Sequence, residues 1–436
     1  MKNITNQLIE FLEKSPTQFQ AIDTISSLLR TNNFTRIKES DSWKLSKGKY
    51  FVTRNNSSLI AFEIPEKLDN YHFNIASSHC DSPTFKIKDI SEIEGPKGYL
   101  KLNVEMYGGA ILYTWFDKPL SVAGRVLVKQ KSKTISKNIY IDSDLLIIPS
   151  MPPHIMKDIN KGVEFNIQID LCPLVSSDVL HKGDFKKIIA SECGCKAEDI
   201  VSYDLYLVNR QKPTILGYKD EFVCAPKLDD LQAAYLSLQG FIDSKKNDCI
   251  KVYACFDSEE VGSLTRQGAS STFLYDTLMR INNSLNRTNE DFYNAIAKSF
   301  NVSFDNAHAL HPNHSEKYDQ NNQCLMNKGI VIKENASQSY TTDAFSRAIF
   351  KQICENAKVP TQSFANRSDS RGGSTLGNIS NNQVSLCSVD IGLAQLAMHS
   401  SYETAGCKDN EYAYLALKQY YSSKILINET ESFEIK

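Results

Sequence analysis

A block of short β-rich runs between about residues 90 and 220 divides a chain that otherwise alternates strand-like with helix-like segments. Within the block, glycine, proline and charged turns separate runs such as GYLKLNVEMY and LSVAGRVLVKQ. Outside it, strand-like runs such as CIKVYACFD alternate with amphipathic helix patterns such as the one that starts at Asp229. This alternation is typical of an α/β layer fold. The sequence therefore predicts an α/β/α domain with a central, mostly parallel (mixed) sheet, formed by residues 1–90 and 221–436 and split by a β-rich insertion at residues 91–220.

The composition narrows the class of protein. The chain has 436 residues, a formal charge of −2 and 23% charged residues, so we expect a globular protein without a nucleic-acid or membrane partner. No apolar run approaches the roughly 20 residues that span a bilayer, and the N-terminus has no signal-peptide core. The eleven cysteines, an odd number, are best explained as reduced thiols, which predicts a cytoplasmic protein.

Histidines and carboxylates recur where predicted strands and helices begin or end. The residues at such positions are His79, Asp229, Asp230, Glu259, Glu260, Asp305 and His399. In open α/β sheets, sites form in the crevice beyond the carboxyl ends of the strands. We therefore expect these side chains to converge.

These residue types suit a metal-dependent hydrolase. Imidazole nitrogens and carboxylate oxygens bind zinc and related divalent ions. A hydrolase with two metals needs about five protein ligands, one of them bridging, and a general base that binds no metal. Adjacent glutamates can divide these tasks, since one can coordinate while its neighbour holds the attacking water. Asp81 points to the same side of an extended chain as His79 and could fix its imidazole tautomer.

Taken singly, each of these features has a simpler explanation. A pair of acidic residues is usually part of the solvated surface, and a lone histidine is more often a hydrogen-bonded core residue. Their order along the chain, each at the predicted end of an element, favours a shared site instead.

Nine sequence blocks make the chain resemble the M18 metallopeptidases, the aspartyl aminopeptidase family, over nearly its whole length. The blocks are SPTQF at 15–19, SSHCDSPTFKIK at 77–88, YGGAILYTWFDKPLSVAGRV at 107–126, PKLDDLQ at 226–232, FDSEEVGSLTRQGA at 256–269, FDNAHALHPNHSEKY at 304–318, NKGIVIKEN at 327–335, RGGSTLG at 371–377 and AMHS at 397–400. Their number and order make the resemblance specific.

The resemblance implies two divalent metal ions, for which zinc is favoured and cobalt or manganese also suit the ligands. One ion would be held by Asp229, Glu260 and His399. The other would be held by His79, Asp305 and again Asp229, which would bridge the two ions.

The resemblance also implies roles around the metals. Glu259 would act as general base and later as acid, and Asp81 would support the first histidine ligand. Lys333 would pair with the acidic side chain of the substrate's first residue, and His308 would contact the substrate. His154 would reach into the active site of a neighbouring subunit. We therefore expect a metalloaminopeptidase that removes the N-terminal residue of peptides and prefers Asp or Glu.

The resemblance also implies a location for the RGGSTLG block and a role for the β-rich insertion. RGGSTLG lacks the lysine of a phosphate-binding loop, and the resemblance makes it a loop near the substrate site. The β-rich insertion would be a dimerisation domain, because the family assembles as a homododecamer built from dimers. The expected partners are therefore peptides and further copies of the chain.

Two residues depart from the family pattern. Cys80 stands in the middle of what is usually His-Thr-Asp, and Asp230 stands where the family usually has asparagine. Cys80 would matter only if its thiol bound metal or were oxidised. The extra carboxylate of Asp230 could alter the metal preference.

Other functions stay open on the sequence alone. A neutral-residue aminopeptidase or an N-acyl amino-acid deacylase would use the same two-metal site, and Lys333 with a substrate panel separates these from an acidic aminopeptidase. A non-catalytic assembly or cargo protein on an inherited peptidase fold would usually have lost ligands or the base. All of these residues are present here, which argues against that alternative.

Overall fold

The computed structural model describes residues 3–245, 247–370 and 372–436. The helices in these residues are α1 (Ile4–Glu13), α2 (Gln18–Thr31), α3 (Ile167–Asp170), α4 (Asp184–Cys193), α5 (Leu228–Ile242), α6 (Phe273–Ser284), α7 (Asn289–Ala297), α8 (Ala344–Asn356), α9 (Leu376–Ser380) and α10 (Cys407–Ser422). None of these helices is both long and apolar enough to cross a lipid bilayer.

The strands of the described residues form four sheets. They are β1 (Thr35–Arg36), β2 (Gly48–Arg54), β3 (Ser58–Ile64), β4 (Phe73–His79), β5 (Thr84–Glu94), β6 (Tyr99–Tyr107), β7 (Leu120–Gln130), β8 (Lys133–Tyr140), β9 (Leu174–Ser177), β10 (Ile200–Asn209), β11 (Thr214–Leu216), β12 (Phe222–Ala225), β13 (Ile250–Phe256), β14 (Phe300–Phe304), β15 (Ala307–His308), β16 (Ile330–Glu334), β17 (Thr361–Ala365), β18 (Cys387–Gly392), β19 (Ala394–Leu396), β20 (Glu403–Gly406), β21 (Ile425–Asn428) and β22 (Ser432–Ile435).

The largest sheet has nine strands in the order β1-β2-β3-β13-β4-β14-β18-β16-β17. Its centre, from β13 through β4 and β14 to β18, is parallel, and β3 and β16 flank that centre as antiparallel neighbours. Strands of a parallel sheet are buried on both faces and so are nearly continuously apolar, and every residue of β13 is buried. The predicted central mixed sheet is confirmed.

Helices cover both faces of this sheet. On β13, Tyr253 and Cys255 point into the layer that includes α1, α5 and α10, while Val252 and Ala254 point into the layer that includes α6 and α7. This alternation follows from the two-residue period of a strand. The predicted α/β fold class, with helices on both sides of one sheet, is confirmed.

The β-rich block forms a separate antiparallel sheet in the order β8-β7-β10-β5-β6-β9. Its apolar core includes Phe85, Trp115 and Val126, together with residues of α4. The sheet includes β5 from Thr84 onward, so it begins before the predicted limit at residue 91. The division into domains at residues 90 and 220 stays a prediction.

A third sheet, in the order β11-β12-β20-β19-β15, joins the end of the β-rich block to the last part of the chain. Its strands β12 and β20 pair antiparallel, which sets Ala225 opposite Glu403. Ala225 lies shortly before α5, and Glu403 lies shortly after His399. The pairing therefore brings the start of α5 beside the loop that carries this histidine.

Candidate metal centre

The carboxyl ends of the central strands carry most of the predicted ligand residues. His79 is the last residue of β4, Asp305 directly follows β14, and Glu259 and Glu260 lie just beyond β13. Because β13, β4 and β14 run parallel, these ends meet at one edge of the sheet. Asp229, in the first turn of α5, lies at the same edge.

Asp229 lies between two histidines. Its Oδ1 is 3.4 Å from Nε2 of His79, and its Oδ2 is 3.5 Å from Nε2 of His399. Asp305 Oδ1 lies 3.9 Å from that nitrogen of His79, and Glu260 Oε2 lies 3.5 Å from that of His399. Each histidine thus lies near Asp229 and near one further carboxylate, an arrangement that suits a bridged pair of ions.

Among the residues that the structure describes, several oxygens of this cluster are buried without a hydrogen-bond partner. They are Oδ1 of Asp229, Oδ1 of Asp230 and Oε1 of Glu260. An unpaired buried carboxylate oxygen is unfavourable, and a coordinated cation removes the penalty. Imidazole nitrogens and carboxylate oxygens that lie within 4.8 Å of one another also form a donor set that suits zinc. These side chains therefore fit divalent metal ions.

Burial changes the proton affinity of the carboxylates. It raises the pKa of Glu259 to about 8. Burial and the neighbouring Asp229 raise the pKa of Glu260 well above its ordinary value. Burial also opposes the charge on Asp229, but the nearby imidazoles of His399 and His79 lower its pKa. So many buried carboxylates are unfavourable together unless positive charge accompanies them.

Asp81 contacts both glutamates through their backbone. Its Oδ1 accepts a hydrogen bond from the N–H of Glu259, and its Oδ2 accepts one from the N–H of Glu260, both at 3.1 Å. Its Oδ1 is also 3.4 Å from Nδ1 of His79, whose nearer partner is the backbone oxygen of Asp81 at 3.1 Å. Asp81 therefore lies against the imidazole, where it was predicted, and also binds the segment that carries the two glutamates.

The two departures from the family pattern have different surroundings. The Cys80 thiol donates to the backbone oxygens of Ser57 and Phe256, and burial raises its pKa. A buried thiol with a high pKa is unreactive, which disfavours both oxidation and metal binding at Cys80. Asp230 accepts a hydrogen bond from the backbone N–H of His79 at 3.1 Å, yet it also offers an oxygen within 4.8 Å of two other candidate ligand atoms. Asp230 is therefore within reach of a metal ion.

Glu403 was not predicted, yet it joins two ligand segments. One of its oxygens accepts from the backbone N–H of Asp229 at 3.0 Å, and the other accepts from that of His399 at 2.8 Å. The only local signal was an acidic residue four positions after a histidine, which is too common to indicate a site. Tyr107 and Gly109, from the β-rich block, also form hydrogen bonds with the centre and were missed as well.

A cavity of about 150 Å³ opens beside these residues. Its lining includes His79, Asp229, Glu259, Glu260, Asp305, His308, Lys333, Tyr340, Phe364, Gly373, Ser374, Thr375 and His399. Three of these residues belong to the RGGSTLG block, so that block lies beside the centre, while its Arg371 is outside the described residues.

Lys333 is buried in the wall of this cavity. Its Nζ donates to the backbone oxygens of Asp305 at 2.9 Å and Asn306 at 3.3 Å, and it lies 5.3 Å from the centre of the Tyr340 ring. Burial opposes the charge, but Asp305 and Tyr340 outweigh it and raise the pKa of Lys333. The side chain is therefore an ammonium at neutral pH.

The two remaining predicted histidines lie in different places. His308, in β15, lines the cavity and is open to solvent. His154 is exposed in the loop between β8 and α3 and is not among the described residues that line the cavity. Its predicted contact with an active site would have to be made in another copy of the chain.

The fold and this cluster together are those of a metal-dependent hydrolase. Comparison with known families narrows the class, because the family described as Aminopeptidase I zinc metalloprotease (M18) matches residues 11–421. The chain belongs to the M18 metallopeptidases. It is a metalloaminopeptidase, so the predicted family and enzyme class are confirmed.

Relatives and solved structures match along nearly the whole chain. A probable M18 family aminopeptidase 2 from Clostridium novyi (strain NT) is 44% identical over 432 residues, covering 97% of this chain and 100% of the relative. Aspartyl aminopeptidase 1 from Schizosaccharomyces pombe is 36% identical over 464 residues, covering 98% of each. A chain in the cryo-EM structure of the Ape4 and Nbr1 complex is 35% identical, with a TM-score of 0.93 over 96% of this chain and 85% of that one. The structure of the S. cerevisiae mApe1 dodecamer is 26% identical, with a TM-score of 0.83 over 96% of each chain.

Proposed function

We propose that this aminopeptidase prefers substrates that begin with Asp or Glu. The observation that carries the proposal is the charged Lys333 in the wall of the cavity. A substrate carboxylate would pair with this ammonium, whereas a neutral side chain would leave the charge without that partner. The similarity to an aspartyl aminopeptidase, 36% identical, supports the same preference.

We infer that five residues hold two divalent ions. Asp229, Glu260 and His399 would hold one ion, and His79, Asp305 and the shared Asp229 would hold the other. The description of the family supports zinc, and cobalt and manganese suit the same nitrogen and oxygen donors. When bound, such ions supply Lewis acidity toward a substrate carbonyl and acidify water.

Glu259 is the proposed general base. Its carboxylate would take a proton from the attacking water and return it to the leaving amine, so one side chain serves first as base and then as acid. Its burial favours the protonated form, which the return of the proton to the leaving amine requires. Asp81 would keep the backbone of Glu259 in place, and His308 would contact the substrate from the cavity wall.

A neutral-residue aminopeptidase is the second candidate, because Lys333 already has partners. Its ammonium donates to two backbone oxygens and lies 3.8 Å from Oδ2 of Asp305. A lysine satisfied in this way could instead be a structural link between β16 and the end of β14.

A panel of aminoacyl chromogenic substrates distinguishes the two candidates. We expect Glu and Asp substrates to be cleaved faster than Leu, with activity lost to a chelator and restored by zinc. Lys333→Met should reduce the ratio of Glu to Leu cleavage by about tenfold or more, while Lys351→Met, an exposed lysine on α8, should not change it. Faster cleavage of Leu by the unmodified protein would contradict the acidic preference, and cleavage of N-acyl amino acids alone would indicate a deacylase.

We also propose that the chain assembles as a homododecamer built from dimers. In this proposal residues 1–90 and 221–436 form the catalytic domain, and residues 91–220 form the dimerisation domain. A protein 26% identical to this chain has been solved as a dodecamer, which supports the assembly.

An exposed apolar patch on the β-rich block suits such an interface. Tyr113, Met151 and Ile169 form the patch, and they line one cavity of about 420 Å³ although each is at least 41% exposed. Clustered exposed apolar side chains are typical of protein interfaces. His154 lies three residues after Met151 in the same loop, which supports its proposed reach into the active site of a partner.

We propose a cytoplasmic location for the protein. All eleven cysteines carry free thiols, and several are fully buried. Reduced thiols in this number are typical of cytosolic proteins.

A further inference from the structure

Tyr107, the last residue of β6, connects the β-rich block to the candidate metal centre. Its hydroxyl donates a hydrogen bond to Oδ2 of Asp81 at 2.8 Å. Its ring packs edge-on against Tyr206, with 5.5 Å between the ring centroids. Both tyrosines belong to the antiparallel sheet, whereas Asp81 follows β4 of the nine-stranded sheet. The hydrogen bond therefore crosses from one sheet to the other.

The carboxylate of Asp81 is buried and depends on its donors. Besides the Tyr107 hydroxyl, its oxygens accept from the backbone N–H groups of Glu259 and Glu260. A buried carboxylate keeps one orientation only while such donors satisfy it. Because the hydroxyl and the Glu260 amide share Oδ2, loss of the hydroxyl would let the carboxylate turn. Both glutamates would then lose a fixed anchor for their backbone.

The two residues after Tyr107, Gly108 and Gly109, lie beside Glu260 and His399. Gly108 has a φ of +73°, and a Cβ at this position would lie 3.0 Å from the Cβ of Glu260. The carbonyl of Gly109 accepts a hydrogen bond from Nδ1 of His399 at 3.0 Å. A metal-binding histidine is normally oriented by a bond of this kind at its second nitrogen. Residues 107–109 therefore lie against Asp81, Glu260 and His399.

We propose that Tyr107 is a positioning residue for the aminopeptidase reaction, acting through Asp81 on the two glutamates. By this means the β-rich block completes the active site of its own chain. The inference rests on the proposed roles of Glu259 and Glu260. It requires that the hydroxyl matters and not only the ring, because a ring that merely fills space would work equally well without its oxygen.

Tyr107→Phe removes the hydroxyl and keeps the ring. We expect kcat to fall about tenfold while KM stays within about twofold, and zinc affinity, measured by competition with a chromogenic chelator, to fall about tenfold. Tyr203→Phe is the matched control, because its hydroxyl donates to the backbone oxygens of Lys88 and Asp89 in the same sheet. This control should leave kcat and zinc affinity unchanged.

A double-mutant cycle with Asp81→Asn tests the route of the effect. If Tyr107 acts through Asp81, adding Tyr107→Phe to Asp81→Asn should change zinc affinity and kcat no further. Additive effects would overturn the proposal, and so would a Tyr107→Phe variant that behaves like Tyr203→Phe. If Tyr107→Phe lowers thermal stability more than its control does, the cycle still decides, because loosened packing would add to the effect of Asp81→Asn.

Glu259→Gln reports separately on the proposed function. If this variant keeps a normal kcat, the assignment of the base fails, whatever Tyr107→Phe does. If it loses kcat while Tyr107→Phe matches its control, only the role of Tyr107 is overturned.

Discussion

Glu259 and Glu260 are neighbours in the sequence, but their carboxylates have different surroundings. Glu260 has one oxygen 3.5 Å from Nε2 of His399 and another that is buried with no hydrogen-bond partner in the described part of the chain. Glu259 lines the cavity, and in the described residues no ion pair of 4.0 Å or less joins it to a histidine. The ion-pair distances thus favour Glu260 as a ligand and Glu259 as a base, although an oxygen of Glu259 also lies within 4.8 Å of a nitrogen of His79 and an oxygen of Glu260.

Glu259→Gln should remove the base and leave the metal ligands in place. We expect kcat to fall by about 10²–10⁴, because a positioned general base contributes that much to the rate. Steady-state kinetics with a Glu substrate would measure the loss, and elemental analysis should show an unchanged zinc content. Glu290→Gln, at an exposed position in the first turn of α7, is the control. Near-normal turnover with zinc bound would rule out Glu259 as the base.

The sequence indicated the centre of this site but not its supports. The candidate ligands could be found because they end strands or begin a helix, where α/β sheets form their sites. Glu403 could not be found, because its partners are two backbone N–H groups that any suitably placed carboxylate could accept from. The role of Tyr107 could not be predicted for a related reason. Its hydrogen bond to Asp81 joins two sheets, and the local sequence YGGA does not indicate that these sheets come into contact.

At the scale of the element, α5 holds Asp229 at its start and packs closely against α10 near its end. A Cβ on Gly240 would lie 2.7 Å from the Cβ of Leu417 and 2.9 Å from the backbone nitrogen of Lys418. Such distances leave no room for a side chain. The two helices can approach this closely because residue 240 is glycine.

Gly240→Ala should therefore destabilise the protein although alanine is the better helix former. Alanine gains about 1 kcal/mol over glycine inside a helix, whereas overpacking a core costs about 1–3 kcal/mol. Because the close contact includes backbone, we expect the packing penalty to prevail and the midpoint of thermal unfolding to fall. Gln239→Ala, at the half-buried neighbouring position, should not lower it. A higher midpoint for Gly240→Ala would mean that helix propensity outweighs the packing.

Elements with a strong apolar period were predicted to within a few residues. The sequence pattern predicts helices at 342–357 and at roughly 409–424, and the structure has them at Ala344–Asn356 and Cys407–Ser422. A helix-like stretch in the β-rich block also predicts a helix at 178–191. That helix begins only at Asp184, because Gly183 has a φ of +99°, outside the α-helical region. Strand β5 extends from Thr84 without a turn at residue 90, so composition alone could not indicate where the second sheet begins.

At the scale of the whole molecule, the buried carboxylates should make stability depend on metal. Any ligand that binds only the folded state stabilises it, by about 2.7 kcal/mol when free metal is a hundred times its Kd. We expect a chelator to lower the midpoint of thermal unfolding and zinc to restore it. His399→Ala removes one candidate ligand and should show a smaller rise with zinc. An equal rise in this variant, or none in the unmodified protein, would contradict binding at this centre.

The apolar patch on the β-rich block should control the state of assembly. Ile169→Asp places a charge on a patch residue that is 69% exposed, and burying an unpaired charge in an interface is strongly unfavourable. We expect light scattering to show a smaller mass than for the unmodified protein at equal concentration. Val179→Asp, in the same block but 78% exposed and outside the cavity lining, should keep the mass of the unmodified protein.

An unchanged mass for Ile169→Asp would place the interface elsewhere. If Ile169→Asp does dissociate the assembly, the activity of the dissociated variant bears on His154, because this histidine lies three residues after the patch residue Met151. If His154 completes a partner's active site, dissociation should lower kcat, and His154→Ala should lower it in the assembled protein but not further in the dissociated one. A dissociated chain with full activity would show that each active site is complete within one chain.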